Sequence, residues 1–346
     1  MSTPHIAIAI LNYNGRKYLE QYLPSVMAVT YTNTSVWVID NQSTDDSLAF
    51  LKQQYPGIKL VVNSGNIGFA AGYNEGLKQI TADYYLLLNS DVEVTPGFIE
   101  PLIDLMEKDP SIAFAQPKIR WLRNHDMFEY AGAAGGMMDV LGYPFCRGRV
   151  LETLEKDEGQ YNDTSPVFWA SGACMFAKAS VYKELNGMYE FFYMQNEEID
   201  LCWRARNLGY KIYACGNSEV YHLGGGSLES TDPRKTFLNF RNNLVMNTRN
   251  MPAGRLLWLI PVRMGLDTVA ALRFFLGGKA NLGKAIFKGV FAYWKWLFTG
   301  ADTKSNPSTK WPAKRGLYAT AGVFKGSIVW SYFVGKKRTY SDLVKK

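Results

Sequence analysis

Asn89, Ser90 and Asp91 are three polar residues that directly follow an apolar run at positions 84–88. The run is too short for a typical helix and suits a buried strand. In an open α/β sheet, ligands bind outside the carboxyl ends of the strands. A carboxylate placed there suits a hard divalent cation such as Mg²⁺ or Mn²⁺, held against a phosphate. Asp91 could instead only cap the turn before Thr95, so the neighbouring motifs must decide between the two interpretations.

A glycine-rich stretch, residues 63–76, lies between a predicted strand and a predicted helix. Its glycines could serve only to permit turns and tight helix packing. They could also let the backbone approach a nucleotide closely, with Asn66 and Asn74 supplying neutral hydrogen bonds. The first strand is followed by Asn12-Tyr13-Asn14-Gly15 and not by G-x-G-x-x-G. The usual dinucleotide-binding arrangement is therefore not expected.

Strand and helix patterns alternate along the chain, which positions these motifs at strand ends. The segment after the second strand predicts a helix capped by Ser43 or Thr44, with Asp45 and Asp46 in its first turn. The alternation predicts an α/β fold with a mainly parallel sheet and helices on both faces. The predicted strands are 6–11, 36–39, 59–62, 84–88, 112–116, 167–176, 211–215 and 219–222, and the other predicted helices are 16–27, one ending near 80, 98–108, 178–185 and 197–208.

The composition is that of a folded cytoplasmic protein. Hydrophobic residues make up 47% of the 346 and charged residues 20%. The four cysteines form no C-x-x-C pair, which argues against zinc or a disulfide framework and fits a reducing compartment. The apolar start at Ile6 lacks a preceding basic region, so no signal peptide is predicted.

Charge divides the chain into two regions. Residues 234–346 contain 21 Lys and Arg against three acidic residues, whereas residues 1–233 contain 17 against 28. The pI near 9.0 alone would suggest a nucleic-acid-binding protein. The segregation makes that function less expected for the N-terminal region and indicates two regions with different electrostatic roles.

Five short motifs follow one another along residues 5–228. They are Asn12-Tyr13-Asn14, Asp40-Asn41-x-Ser43-x-Asp45, Asn66-x-Gly68-Phe69-x-x-Gly72-x-Asn74-x-Gly76, Leu88-Asn89-x-Asp91 and Glu197-Glu198-x-Asp200-Leu201-x-x-Arg204. In this order they resemble the family 2 glycosyltransferases of the GT-A fold, close to the bacterial rhamnosyltransferases and O-antigen glycosyltransferases. The resemblance covers about two thirds of the chain, and its implications follow as expectations.

The resemblance implies that Asp91 binds Mn²⁺ or Mg²⁺ beside a nucleotide-sugar donor. The family's D-x-D motif has a carboxylate where this chain has Asn89, so a weaker metal site is expected. His222 resembles a histidine that completes the metal site in some relatives. A lone histidine is more often structural, and imidazole is an unremarkable ligand for Mn²⁺, so both roles for His222 stay open.

Glu197 and Glu198 stand where the family usually has Glu-Asp, whose second acid is the catalytic base. The match assigns that role to Glu198, and the longer side chain leaves Glu197 as an alternative. Acids in the first turn of a helix are also common through dipole stabilisation alone. Asp200 and Arg204 lie one turn apart and are expected to form a structural pair.

The remaining motif residues are implied to bind the nucleotide. In the family, an acid at the position of Asp40 accepts a hydrogen bond from the pyrimidine, as a carboxylate can. Turn formation is the alternative role for Asp40. The implied nucleotide-binding residues are Asn12, Tyr13, Asp40, Asn66, Gly68, Asn74 and Asn89.

Residues 121–168 are broken by glycines and include an acidic stretch at 152–163. They are expected to form an insertion over the site. Trp169 and Tyr193 could line the acceptor site, although aromatic residues are more often part of the core.

Residues 234–300 alternate Arg and Lys with apolar blocks rich in Trp and Phe. No uncharged apolar run approaches the roughly 20 residues needed to span a bilayer. The pattern predicts amphipathic helices that lie in the interface of an anionic membrane. A helical subdomain with a solvated basic face is the first alternative, and nucleic acid is not expected as a partner.

The sequence thus predicts a GT-A catalytic domain over 1–233 and a basic, helical, membrane-associating region over 234–346. The predicted function is inverting, metal-dependent transfer of a sugar, rhamnose first, from a dTDP- or UDP-sugar. The expected acceptor is a saccharide or lipid-linked intermediate of a cell-surface polysaccharide, met at the inner face of the cell membrane. Because Asn89 and Glu198 depart from the family pattern, a non-catalytic nucleotide- or carbohydrate-binding protein of the same fold is the rival hypothesis.

Overall fold

The computed structural model of the protein describes residues 3–224, 232–300 and 321–344. Strands and helices alternate over the first part of the chain, as predicted. The elements there are β1 (Ile6–Asn12), α1 (Arg16–Met27), β2 (Thr34–Asp40), α2 (Ser47–Gln54), β3 (Lys59–Val62), α3 (Phe69–Leu77), β4 (Tyr84–Asn89), β5 (Val92–Val94), α4 (Ile99–Lys108) and β6 (Ile112–Trp121).

The later elements alternate less regularly, and the C-terminal region is mainly helical. They are β7 (Asn124–Phe128), β8 (Gly136–Asp139), β9 (Pro144–Cys146), β10 (Arg149–Val150), β11 (Thr153–Leu154), β12 (Thr164–Pro166), β13 (Cys174–Lys178), α5 (Ala179–Glu184), a 3₁₀ turn (Glu190–Phe192), α6 (Glu197–Leu208), β14 (Lys211–His222), α7 (Pro233–Asn250), α8 (Ala253–Leu276), α9 (Ala280–Thr299), β15 (Val323–Phe324), α10 (Ile328–Phe333) and α11 (Tyr340–Val344).

The main sheet has the strand order β12-β14-β6-β13-β4-β1-β2-β3, and β5 and β7 pair with β14 and β6. Strands β1 to β4, β6 and β14 run in one direction, with β13 antiparallel between β4 and β6. β4 is apolar and buried on both faces, as expected for a parallel strand covered by helices. Because these strands are parallel, the carboxyl ends of β1, β2, β4 and β14 meet at one edge, where Asn12 lies opposite Asp40.

Two local predictions were wrong. Helix α2 begins at Ser47, later than predicted, because the Ser43 hydroxyl donates to Asp40 (2.7 Å) and Asp45 accepts from the Ser47 amide (3.1 Å). The predicted strand 167–176 is a strand only at Cys174–Lys178. The preceding residues leave that ladder because the Phe168 amide donates to the Gly136 carbonyl (2.7 Å).

The insertion forms a second sheet with the C-terminal region. Its strand order is β11-β10-β9-β8-β15, and β15 is parallel to β8. Asp139, fully buried at the end of β8, accepts from the backbone amides of Leu141 (2.9 Å) and Ile328 (2.9 Å). The described C-terminal residues are therefore joined to the insertion by hydrogen bonds.

Helix α7 connects residues 1–233 with the basic region through one hydrophobic core. Its Leu244 and Met246 are fully buried in the same cluster as Leu87 of β4 and Leu201 of α6. The predicted boundary after residue 233 therefore falls at the start of a helix that packs into the core of the preceding region.

Helix α8 has a row of exposed apolar side chains at intervals of three, four or seven residues. They are Trp258, Val262, Val269, Leu272 and Leu276, with exposed fractions between 43% and 91%. Within the described residues, none of the helices combines the length and the hydropathy needed to span a bilayer. The tail residues 301–320 lie outside the described part of the chain.

Candidate active site

The predicted metal residues are close together in the structure. Asp91 follows β4, and the antiparallel pairing of β5 with β14 places Val92 opposite His222. His222 Nε2 lies 3.2 Å from Asp91 Oδ1, and its Nδ1 lies 3.3 Å from Glu129 Oε2. All three side chains are at least nine-tenths buried.

Two buried carboxylates on either side of one imidazole favour a positive charge at this point. Burial lowers the pKa of His222, but the charges of Glu129 and Asp91 outweigh burial and raise it to about 10. Either a proton on the imidazole or a bound cation can supply the charge. When Nδ1–H donates to Glu129, Nε2 is free for a metal, as in many metal-binding histidines.

The donor set fits a divalent cation that also binds substrate. Across the described residues, no cluster of three or more His, Cys, Asp or Glu side chains is arranged to hold a metal ion. The protein would then supply two ligands, Asp91 and His222. Donor phosphates and water would complete the coordination, which is how Mg²⁺ is usually held in phosphate-transfer sites.

The side chains at the ends of β1 and β2 bond to one another. Asp40 is fully buried and accepts from the Asn12 amide (2.8 Å) and from the backbone and hydroxyl of Ser43 (both 2.7 Å). Tyr13, next to Asn12, is 47% exposed. Because Asp40 has no exposed surface, its predicted contact with a pyrimidine would require its neighbours to move, and the contact stays a prediction.

The glycine-rich stretch packs against the loop that leads to the acid pair. Gly68 has φ +91°, and a Cβ there would lie 2.5 Å from the Tyr193 ring. The Tyr193 hydroxyl donates to Asn66 (3.4 Å), and its carbonyl accepts from the Phe69 amide at the start of α3 (2.7 Å). The structure thus places Tyr193, predicted near the acceptor, beside the predicted nucleotide loop.

Asn74 and Trp169 have well-defined structural contacts. The Asn74 side chain donates to Met188 O (2.8 Å) and Glu190 (3.1 Å) and accepts from Tyr182 (2.8 Å). A nucleotide contact from Asn74 would need one of these bonds to break. Trp169 is 3% exposed, and its indole donates to the Met137 carbonyl (3.0 Å). Both predicted binding roles stay predictions.

Glu197, which is buried, and Glu198, which is half-buried, open α6. The Oε2 atom of each has no hydrogen-bond partner among the described residues. Burial raises the pKa of Glu198 to about 7, and burial together with Glu198 raises that of Glu197. The predicted pairing of Asp200 with Arg204 is confirmed by a 2.8 Å contact.

The acid pair lies next to the end of β4. The Ala173 carbonyl accepts from the Asn89 amide (3.0 Å). A Cβ on the adjacent Gly172 would lie 3.6 Å from Glu198 Cβ and 3.4 Å from the Phe69 ring. Because Gly172 has no side chain, it leaves space between Glu198 and Phe69. An acid whose carboxylate has an unpaired oxygen can exchange a proton with a group that enters this space.

Sequence reasoning missed Glu129 and two residues of α7, Arg241 and Asn242. Glu129 lies in the glycine-broken insertion, where an acid looks like any solvated loop residue. Arg241 and Asn242 lie in the basic region, and Asn242 contacts the carbonyls of residues 192, 194 and 195. The available signal was the run of asparagines at 242, 243, 247 and 250, which is unusual on a helix face that must be buried.

Residues 7–185, just over half of the chain, match the sequence pattern of glycosyl transferase family 2. The chain belongs to this family. The predicted enzyme class, glycosyltransferase, is thereby confirmed. Among curated proteins, this glycosyltransferase is 26% identical over 301 residues to the N-acetylglucosaminyl-diphospho-decaprenol L-rhamnosyltransferase of Mycobacterium tuberculosis, covering 82% of this chain and 96% of that protein. It is 24% identical over 249 residues to a low-salt glycan biosynthesis hexosyltransferase of Haloferax volcanii, covering 69% and 74%.

Solved structures of other glycosyltransferases have a similar fold. GalNAc-T7, crystallised with UDP, GalNAc and Mn²⁺, superposes with a TM-score of 0.56 at 14% identity, covering 90% of this chain and 59% of that chain. The mannosyltransferase PcManGT of Pyrobaculum calidifontis, in complex with GDP-Man and Mn²⁺, has a TM-score of 0.52 at 12% identity, covering 89% and 82%. At these identities the comparison concerns the fold, and it confirms the predicted GT-A architecture.

Proposed function

We propose that this glycosyltransferase is an inverting, divalent-metal-dependent enzyme in which Glu198 is the catalytic base. The observation that carries the proposal is the Glu198 carboxylate beside the end of β4, whose Oε2 is shielded from solvent without a hydrogen-bond partner among the described residues and whose pKa is raised to about 7. A base of this pKa is half deprotonated at neutral pH and still binds a proton strongly enough to remove one from a hydroxyl. Glu197 is more deeply buried but lies one residue before the position of the family's base.

In the proposed reaction, the acceptor hydroxyl attacks the anomeric carbon of the donor sugar, and the bond to the diphosphate breaks. Glu198 takes the hydroxyl proton, and the leaving diphosphate keeps the bonding electron pair. A bound Mg²⁺ or Mn²⁺ would offset the charge that develops on the diphosphate. Asp91 and His222 would hold that ion, and Glu129 would orient His222.

For the donor we propose a dTDP- or UDP-sugar, with rhamnose first. The rhamnosyltransferase name of the Mycobacterium tuberculosis relative, which aligns over 82% of this chain, supports the sugar. The same name, with its diphospho-decaprenol acceptor, supports a lipid-linked or saccharide acceptor in cell-surface polysaccharide synthesis. The Mn²⁺ in the two similar structures supports the metal.

The test is turnover of several nucleotide sugars with Mn²⁺ by the full chain and by Glu198→Gln. We expect the wild type to release the nucleoside diphosphate. We expect Glu198→Gln to bind it with unchanged affinity while turnover falls by about 10²- to 10⁴-fold. Turnover of Glu198→Gln at the wild-type rate would exclude Glu198 as the base. Wild-type turnover in Glu197→Gln, together with loss of turnover in Glu198→Gln, would select Glu198 over Glu197.

We also propose that the basic region holds the enzyme at the inner face of the cytoplasmic membrane. The apolar row on α8, defined above, lies beside exposed cations such as Arg273 and Lys279, which suit an anionic lipid surface.

Sedimentation with vesicles of anionic and of neutral lipids tests the membrane proposal. The chain should pellet with anionic vesicles, and Val269→Ser combined with Leu272→Ser should weaken pelleting by about tenfold through lost apolar burial. Equal recovery in the supernatant with both lipids would refute membrane association.

A further inference from the structure

The segment that leads into the acid pair has an unusual backbone. Tyr193, Gln195 and Asn196 have φ angles of 65°, 72° and 70°, in the left-handed region. Asparagine tolerates this conformation, but tyrosine and glutamine rarely adopt it. Such residues persist where the surrounding structure holds them, and they cluster at functional sites. The contacts that hold this segment therefore bear on the position of Glu197 and Glu198, which follow directly.

One side chain of α7 holds the segment by its carbonyl groups. Asn242 is fully buried, and its Nδ2 donates to the carbonyls of Phe192 (3.0 Å), Met194 (2.9 Å) and Gln195 (2.7 Å). An amide nitrogen has two hydrogens, so at least one of them is shared between carbonyls. These three carbonyls converge on Asn242 only because the backbone turns through the left-handed residues.

Arg241 fixes the orientation of that amide. Its Nε donates to Asn242 Oδ1 (2.8 Å), which leaves Nδ2 directed at the carbonyls. Its Nη2 donates to the carbonyls of Phe191 (3.0 Å) and Phe192 (3.2 Å). The guanidinium therefore fastens both the amide and the start of the segment, which a lysine could not do with one nitrogen.

The same helix also contacts α6 beyond the acid pair. Asn250 Nδ2 donates to Asp200 Oδ1 (2.7 Å). Helix α7 thus bonds to the chain on both sides of Glu197 and Glu198. The backbone amides of Glu198 and Ile199, at the start of α6, hydrogen-bond the Glu198 carboxylate, so its direction depends on how α6 begins.

We infer that Asn242 and Arg241 are positioning residues that set the direction of the catalytic acid pair through the carbonyls of residues 191, 192, 194 and 195. The inference rests on the proposed role of Glu198. It assigns a function to a helix of the basic region, because α7 then contributes to catalysis and is more than a connection to α8 and α9.

Asn242→Asp is the discriminating variant. Aspartate keeps the size of asparagine and can still accept from Arg241, but its second oxygen would face three carbonyl oxygens. The expected result is a fall in kcat by about 10²-fold, the effect of displacing a reacting group by about 1 Å. The KM for the donor should rise by a smaller factor, because Tyr193 of the same segment contacts Asn66 and Phe69 of the predicted nucleotide loop.

Asn243→Asp is the matched control. Asn243 is the next residue of the same helix and is also buried, but its amide donates to Gly142 in the insertion (3.1 Å). The Asn243→Asp variant should retain the wild-type kcat. Arg241→Lys is the second variant, because it retains the charge and a folded core. It should also lower kcat, by a smaller factor than Asn242→Asp does.

A readout that a purely structural loss would not change separates the interpretations. A displaced Glu198 becomes more solvated, so the acidic limb of the kcat–pH profile of Asn242→Asp should move to lower pH. A smaller folded fraction would lower kcat by one factor at every pH and would overturn the inference. Equal losses in Asn242→Asp and Asn243→Asp, or unchanged kcat in both Asn242→Asp and Arg241→Lys, would also overturn it.

The outcome is distinguishable from failure of the proposed function. If Glu198→Gln retains turnover, the base assignment fails whatever Asn242 does. If Glu198→Gln is inactive while Asn242→Asp behaves as Asn243→Asp does, the base assignment stands and the positioning role fails.

Discussion

Asp91, which is buried, and Glu198, which is half-buried, are both carboxylates near the carboxyl edge of the main sheet, yet their surroundings have opposite effects on them. Burial raises the pKa of Asp91, but the charge and hydrogen bond of His222 outweigh it and bring the pKa below the usual range. At Glu198, burial is opposed only by hydrogen bonds from backbone amides, and it raises the pKa to about 7. One end of the site therefore favours a charged carboxylate and the other favours exchange of a proton, which is how acid–base roles are divided between like residues.

The largest expected effect comes from comparing Asp91→Asn with Glu198→Gln. Each change removes one carboxylate charge and keeps the side-chain size. Asp91→Asn should lower turnover and also the affinity for nucleotide in the presence of Mn²⁺, because the ion links the protein to the phosphates. Glu198→Gln should lower turnover alone, by about 10²- to 10⁴-fold. Calorimetric binding of UDP or dTDP with Mn²⁺, measured beside turnover, checks the difference, and parallel loss of both properties in both variants would contradict it.

The sequence was sufficient to predict the sheet and the residues at its edge, because each depends on a local pattern. Short apolar runs followed by polar residues predicted β1 to β4 and placed Asn12, Asp40 and Asn89 at strand ends, where the structure has them. The bulge of β14 between Cys215 and Glu219 explains why one strand was predicted as two pieces.

The contacts between distant segments could not be predicted in the same way. Glu129 meets His222 and Asn242 meets Gln195 only after the insertion and α7 have packed on the sheet. No periodicity in the sequence indicates such a pairing. The predicted capping of α2 by Ser43 was wrong for a related reason, since the Ser43 hydroxyl donates to Asp40 at the end of β2.

An intermediate effect is expected at Glu129, which belongs to the metal end without contacting substrate. Glu129→Gln removes the charge that orients His222 and should weaken apparent Mn²⁺ affinity by about 10- to 100-fold. Saturating metal should restore most of kcat. A titration of activity against Mn²⁺ measures this, and Glu155→Gln, a buried acid that instead bonds Tyr161 (2.8 Å), is the control. A loss of kcat that Mn²⁺ cannot restore would contradict the metal role and would instead place Glu129 with Glu198 in proton transfer.

The smallest expected effect is on stability, and it should appear only at the Glu198 end. The folded-state pKa of Glu198, about 7, is above its ordinary value of 4.5, so the folded protein binds this proton more tightly than the unfolded chain does. Its contribution to the free energy of unfolding is fully retained below pH 4.5 and is lost as the pH rises through 7. Glu198→Gln removes this loss, so the variant should be more stable than the wild type near pH 8 by about 1 to 3 kcal/mol and equally stable near pH 4. Denaturant unfolding at the two pH values measures the difference. A gain of the same size at both pH values would show that the glutamine stabilises the protein by packing. The contrast between the charged Asp91 and the protonated Glu198 would then be supported by the turnover measurements alone.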